Sequence, residues 1–506
     1  MSTSSAMMEE VGGRPIEPRH RHAMRTSQAP ASIAAIPDLD AAAKGASAVV
    51  RDIGCSRRVV LLQPYMSKAE LEGLAYRVYA LTTNESLNSV LIANYVESSS
   101  DDDVLSSMVH DRDYQYARDE SVEEFYPDQP GHSFHVAGGY DPLELYRSGK
   151  HKDPEYVRDL LNNLTNLTLA CEGRPDSKIP TLFVPHGIVT DSGFAWMRSS
   201  YVMATRQSEF RILHPGRGLA LDPVGLSYRL PRISIEFQQA HAMEWRLGCC
   251  MLLGLTSYTA NHYDLLETGL ATNLMESAAS ISELEMSLAE IRPWNQQELI
   301  RNPVRYYGQQ RLHDPDHNAM FRNVQVADTV NCMSAARADN QDIWSYNDDN
   351  DFSLEDPSLV TDYLGWNEPR NSDLLDLACT FDSVFKNASS VEGILAGFQE
   401  IAGSTTDDAE VQEGIDVAKG IVDRLQRQSP LALQVMYKLL LIGSRQNESF
   451  ETCCARELRS QTALLKQPDF ELWANNCNSE GEYHGPWTHA SLKDVPNDLV
   501  AEIIGS

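Results

Sequence analysis

A chain of 506 residues with 42% hydrophobic content is long enough to bury a large core in two or three lobes. Its 42 Lys and Arg against 72 Asp and Glu leave a net charge of −30. That balance excludes broad direct contact with phosphate backbones, which needs cationic surface, but not a place in a ribonucleoprotein held through protein contacts. Nine cysteines, an odd number with no Cys-x-x-Cys pair, read as free thiols of a reducing compartment rather than a disulfide framework. No apolar run reaches the roughly 18 residues a membrane span requires.

Residues 1–57 are expected to form a flexible arm. Within it, residues 13–30 hold four arginines, two histidines and one acid. This composition fits a mitochondrial presequence, while Glu9, Glu10 and the prolines equally fit a plain disordered tail. Residues 58–63 read as the first strand. A helical pattern follows, with Leu71, Leu74, Ala75 and Val78 on one face, and residues 89–96 read as a second buried strand. Strand, helix, strand at this spacing predicts a βαβ unit in a parallel sheet. Residues 97–131 carry eleven acids against two arginines and predict a solvated insertion. The adjoining His132 and His135 have an i,i+3 spacing that metals use, but no third ligand stands nearby in sequence.

Residues 175–197 read as a strand, a polar turn and a helix start, and strands and turns alternate as far as residue 232. Helices dominate from about residue 243, interrupted by a second acidic insertion over 339–371. Ser429 as N-cap and Pro430 at the first helical position open a helix whose Leu433, Met436, Tyr437 and Leu440 fit one buried face. Another helix opens near Asn447. Five Asn-x-Ser/Thr sequons, at Asn84, Asn163, Asn166, Asn387 and Asn447, read as chance in an Asn- and Ser-rich chain.

Two glycine turns bear on chemistry. Ala137-Gly138-Gly139 precedes an amphipathic run and would expose backbone N–H groups at a helix start; a plain tight turn is the alternative. The run 186–196, HGIVTDSGFAW, holds a second such turn at Gly193. Donors from both, converging on one oxygen, would form an oxyanion hole for acyl transfer.

The combination of these turns, followed by VMAT, GLALD and LPR across 202–232, resembles the crotonase (enoyl-CoA hydratase/isomerase) superfamily. Residues 245–275, ending Gly269-Leu270-Ala271-Thr272, are similar to that family's next segment. Residues 381–399, 429–443 and 451–475 and the Gly485-Pro486-Trp487 triplet resemble the C-terminal extension of 3-hydroxyisobutyryl-CoA hydrolases. The resemblance covers most of residues 58–500 outside the two insertions.

It implies an α/β fold: a crotonase-like ββα spiral core over 58–275 carrying the insertion 97–131, then a helical C-terminal extension over 276–506 carrying the insertion 339–371. It also implies acyl-CoA thioester hydrolysis in valine catabolism, mitochondrial location and no cofactor beyond the CoA of the substrate, and leaves the choice between monomer and oligomer open. By the resemblance, Gly138 and Gly193 are the oxyanion donors, Asp222 matches the catalytic aspartate, and Glu155 matches an acid lining the pocket. His214 stands where the family has its glutamate, and a neutral His214 would be the substitute base near pH 7. Asp191-Ser192-Gly193 replaces a glycine-rich turn, and Asp191 would oppose charge building in the hole.

These departures leave three functions open. One is an acyl-CoA thioester hydrolase using Asp222 and His214. The second is a non-catalytic component of the mitochondrial ribosomal small subunit, since some such ribosomes contain a protein similar to this hydrolase; the acidic insertions would then bind protein partners, with little nucleic-acid contact. The third is CoA-ester binding without turnover.

Overall fold

Strand β1, Ala48–Ile53, turns back through Gly54 and pairs antiparallel with β2, Ser56–Leu61, so that Val49 and Val50 face Val60 and Val59. The computed structural model describes residues 48–84, 86–94, 135–172, 179–233, 245–275, 280–290, 336–337, 372–406, 409–479 and 481–505. Residues 48–57, expected within a flexible arm, lie instead in the sheet, because cross-strand pairs of β-branched side chains hold them there. Residues 1–47, both acidic insertions and His132 lie outside the described residues.

Helix α1, Lys68–Thr82, begins at a capping box in which Ser67 and Glu70 satisfy each other's backbone N–H groups. Its Leu71, Leu74, Ala75 and Val78 are buried, as their spacing predicts. Strand β3, Val90–Asn94, then lies parallel to β2, completing the βαβ unit.

The chain next spirals. Strand β4 is His135–Ala137, followed by the helix Pro142–Arg147 and by α2, Pro154–Cys171. Strands β5, Thr181–Val184, and β6, Ile188–Thr190, lead into a 3₁₀ turn, Asp191–Arg198. Strands β7, Tyr201–Ala204, and β8, Glu209–Arg211, follow. After them come α3, Arg246–Leu255, then β9, Thr259–Ala260, β10, Asn273–Leu274, and β11, Ala336–Arg337. From β3 to β8 successive strands alternate between two sheets, whose orders are β1-β2-β3-β5-β7-β10-β11 and β4-β6-β8-β9. The central pairs of both sheets are parallel, giving the ββα spiral. Strand β5, TLFV, is buried at every residue, as parallel strands covered on both faces must be.

One apolar cluster covers one face of the larger sheet and runs without a break into the C-terminal helices, from Val59 through Phe183 and Leu221 to Leu440 and Ile504. The other face is closed by the helix Ser280–Glu290 through Leu284 and Leu288. The remaining helices that matter to the site are α4, Pro430–Gly443, α5, Phe450–Leu464, and α6, Asn497–Ile504. The side chain of Ser429 caps α4 as expected, but the helix is buried on almost every side rather than on one face. The C-terminal helices thus complete the core that the strands begin. Among the described residues, no helix is long and apolar enough to cross a membrane.

Candidate functional site

The turn after β6 sets up the site. Asp191 adopts φ +45°, a left-handed conformation that Asp tolerates better than most residues. Its carboxylate fixes the turn: Oδ1 accepts from the backbone N–H groups of Leu213 (2.7 Å) and His214 (3.1 Å), and Oδ2 lies 3.2 Å from Arg217 Nη1. His214 opens the 3₁₀ turn His214–Arg217, and its Nδ1 lies 2.5 Å from the same Asp191 Oδ1. Its Nε2 lies 3.1 Å from Asp222 Oδ2, close enough for charge attraction but without hydrogen-bond geometry. The imidazole therefore bridges two carboxylates.

Asp222 has no free oxygen. Ser192 Oγ donates to Oδ2. Tyr140 OH donates to Oδ1 at 3.2 Å, and Gln461 Nε2, reaching in from α5, donates to the same atom at 3.0 Å. Tyr140, Asp191, Ser192, His214, Asp222 and Gln461 are all buried. Two surface cavities of about 390 and 480 Å³ are lined by residues 426–427 and 472–486, and none of the buried group borders them.

Burial disfavours a charged ring at His214, but the Asp191 and Asp222 carboxylates outweigh it and push its pKa up to about 9. At Asp191 burial acts upward, and the charges of His214 and Arg217 with the donated hydrogen bonds prevail, holding the carboxyl below its usual range. Burial and the Asp222 charge push Tyr140 well above the ordinary phenol value, so it remains an O–H donor. Two carboxylates, one imidazolium and one guanidinium form a buried cluster with no net charge. Such a cluster tolerates burial where a single unpaired ion would not.

The fold brings His214 beside Asp222 and packs the Gly138 and Gly193 turns against each other, but leaves Glu155 apart. Gly193 packs so closely on β4 that a Cβ would lie 2.0 Å from Ala137 O, and Gly139 abuts Ser192 in the same way. Three chemical expectations are corrected. The Gly138 N–H, expected to face an oxyanion, donates to Pro64 O at 2.8 Å, and the Tyr65 ring covers the residue. His214, expected as a neutral base near pH 7, is held protonated between two carboxylates and has no lone pair to offer. Asp191 does not oppose a hole, because its charge is spent on His214, Arg217 and two amides. Glu155 stands apart, exposed in the first turn of α2, with Oε1 3.7 Å from Arg158 Nη2.

Sequence reasoning missed Tyr140, Arg217 and Gln461 as members of the cluster, and also Glu457. The Glu457 carboxylate is buried one helical turn before Gln461 and accepts from the Gly225 N–H (2.8 Å) and the Ser227 N–H (2.6 Å). Burial pushes its pKa up to about 7 against the pull of those donors. The available signal was a helix face in which Glu457 and Gln461 continue the apolar line begun by Phe450 and Cys453.

A sequence model described as Enoyl-CoA hydratase/isomerase matches residues 357–504. No functionally curated protein matches this sequence. Among solved structures, a carnitinyl-CoA dehydratase from Mycobacterium thermoresistibile is similar over 90% of this chain and 96% of its own, at 15% identity and TM-score 0.56. An enoyl-CoA hydratase from Rhodobacter sphaeroides is similar over 90% of this chain and 97% of its own, at 14% identity and TM-score 0.52. The interleaved parallel sheets thus have the crotonase-like fold of these structures, and the C-terminal residues 357–504 match the sequence model of the enoyl-CoA hydratase/isomerase superfamily.

Proposed function

We propose that this protein is a catalytically silent relative of the acyl-CoA hydrolases of this superfamily, acting as a structural component of a larger protein assembly. The observation that carries the reading is the His214 imidazolium held between Asp191 and Asp222. Thioester hydrolysis needs a base to take a proton from water and free donors for the carbonyl oxygen. Here the candidate base is already protonated, and one candidate donor, the Gly138 N–H, is already paired. The assembly proposed is the small subunit of the mitochondrial ribosome, reached through protein contacts, as a net charge of −30 favours.

Purified protein given 3-hydroxyisobutyryl-CoA is expected to release no free CoA above the buffer rate. Release is best followed by chromatography, because the exposed thiol of Cys379 would react with a thiol dye. Turnover of even about one per minute would sink the silent reading. It would favour hydrolysis through Asp222, to which Ser192 already donates a hydrogen bond. Sedimentation of a mitochondrial lysate tests the assembly: the protein is expected with the ribosomal small subunit, and a free monomer or trimer would exclude it.

A further inference from the structure

One face of α5 lies along residues 220–228, the segment that carries Asp222. Phe450 covers Gly225 and meets the Tyr228 ring edge-on, with centroids 6.1 Å apart. Glu457 takes the Gly225 and Ser227 amides. Gln461 takes the Ala220 amide on its Oε1 at 3.1 Å and gives its Nε2–H to Asp222 Oδ1 at 3.0 Å, with the Tyr140 hydroxyl 3.4 Å away. Spacings of seven and four place these three residues on one helix face. Glu457 and Gln461 are both fully buried.

A carboxamide carries donors and an acceptor on one planar group, so Gln461 pairs with a carboxylate and an amide at once. A leucine would fill the same space more cheaply, but it would leave Ala220 N–H unpaired and remove a donor from Asp222.

We propose that Gln461 is a built-in lock at Asp222, packed against it from the C-terminal side and donating to the oxygen that a bound thioester would need. The proposal rests on the silent-centre reading above and names the residue that closes the site. Shortening this one side chain should therefore reopen room at Asp222 while the Asp191–His214 pair stays in place.

The test compares full-length wild type with Gln461→Ala by calorimetric titration, using 3-hydroxyisobutyryl-CoA and free CoA as probes. The variant is expected to bind the ester at least about tenfold more tightly than wild type does, with no matching gain for free CoA. A folded Gln461→Ala protein that binds the ester no better than wild type would overturn the lock, as would an equal gain for free CoA. Should the alanine variant melt below the assay temperature, Gln461→Ser carries the same comparison with the same two outcomes. Hydrolysis by wild type would sink the silent reading, whereas absence of a binding gain in the variants would sink only the lock.

Discussion

At the scale of single residues, the Asp191–His214–Asp222 group makes stability depend on pH. The ring's pKa in the folded chain is about 9, above its ordinary 6.5. Its contribution is thus fully present below pH 6.5 and is lost as pH rises through about 9. Glu457 acts in the same direction at lower pH: raised from 4.5 to about 7, it favours folding below 4.5 and ceases to do so above 7. Asp191, held below its usual range, opposes them only in acid. Unfolding free energy measured in urea is expected to fall by about 2–3 kcal/mol between pH 6.5 and 9. A wild-type value that stayed flat or rose over that window would contradict this. His214→Gln should remove most of the slope and cost about 3 kcal/mol at pH 6.5, because it takes the cation from between two buried carboxylates and leaves Arg217 to balance both. That Asp222 and His214 would meet was legible from their place in the resemblance. That the ring would be charged was not, since its second carboxylate, Asp191, is supplied 23 residues earlier by a turn with a left-handed φ.

At the scale of elements, the βαβ unit was readable because its signals are local: two apolar runs, a capping box and a four-residue apolar stripe on α1. Strand β1 was missed because Arg51 and Asp52 interrupt it and it pairs on one side only, at the sheet edge. The docking of α5 was unreadable for a different reason: its partners lie more than two hundred residues away in sequence. Its geometry gives a paired test. Gly225 has φ +81°, and a Cβ there would lie 2.0 Å from a Phe450 ring carbon. Gly216, nearby in the same segment, has nothing within 4 Å of that position. Gly225→Ala should therefore cost about 3 kcal/mol or more in urea unfolding. Gly216→Ala should stay within about 0.5 kcal/mol. Equal costs for the two would show that α5 does not press on this loop.

At the scale of the whole molecule, the strand core and the C-terminal helices share one apolar cluster. A boundary at residue 275 is therefore one of chain course and not of stability. Near-UV circular dichroism and tryptophan fluorescence are expected to report a single coincident melting transition. A chain truncated after residue 446, which lacks α5 and α6, should show no cooperative transition at all, and a truncated chain that melted sharply would argue for an independent amino-terminal domain.

The pairing of Gln461 with Asp222 spans 239 residues, and that of Glu457 with Ser227 spans 230. During synthesis the loop around Asp222 leaves the ribosome long before either partner exists. Its amides and carboxylate must wait in water, or in the care of a chaperone, until α5 has been made. A nascent chain stalled before α5 has emerged should therefore be prey to proteases around Asp222, and one stalled after it should be protected there.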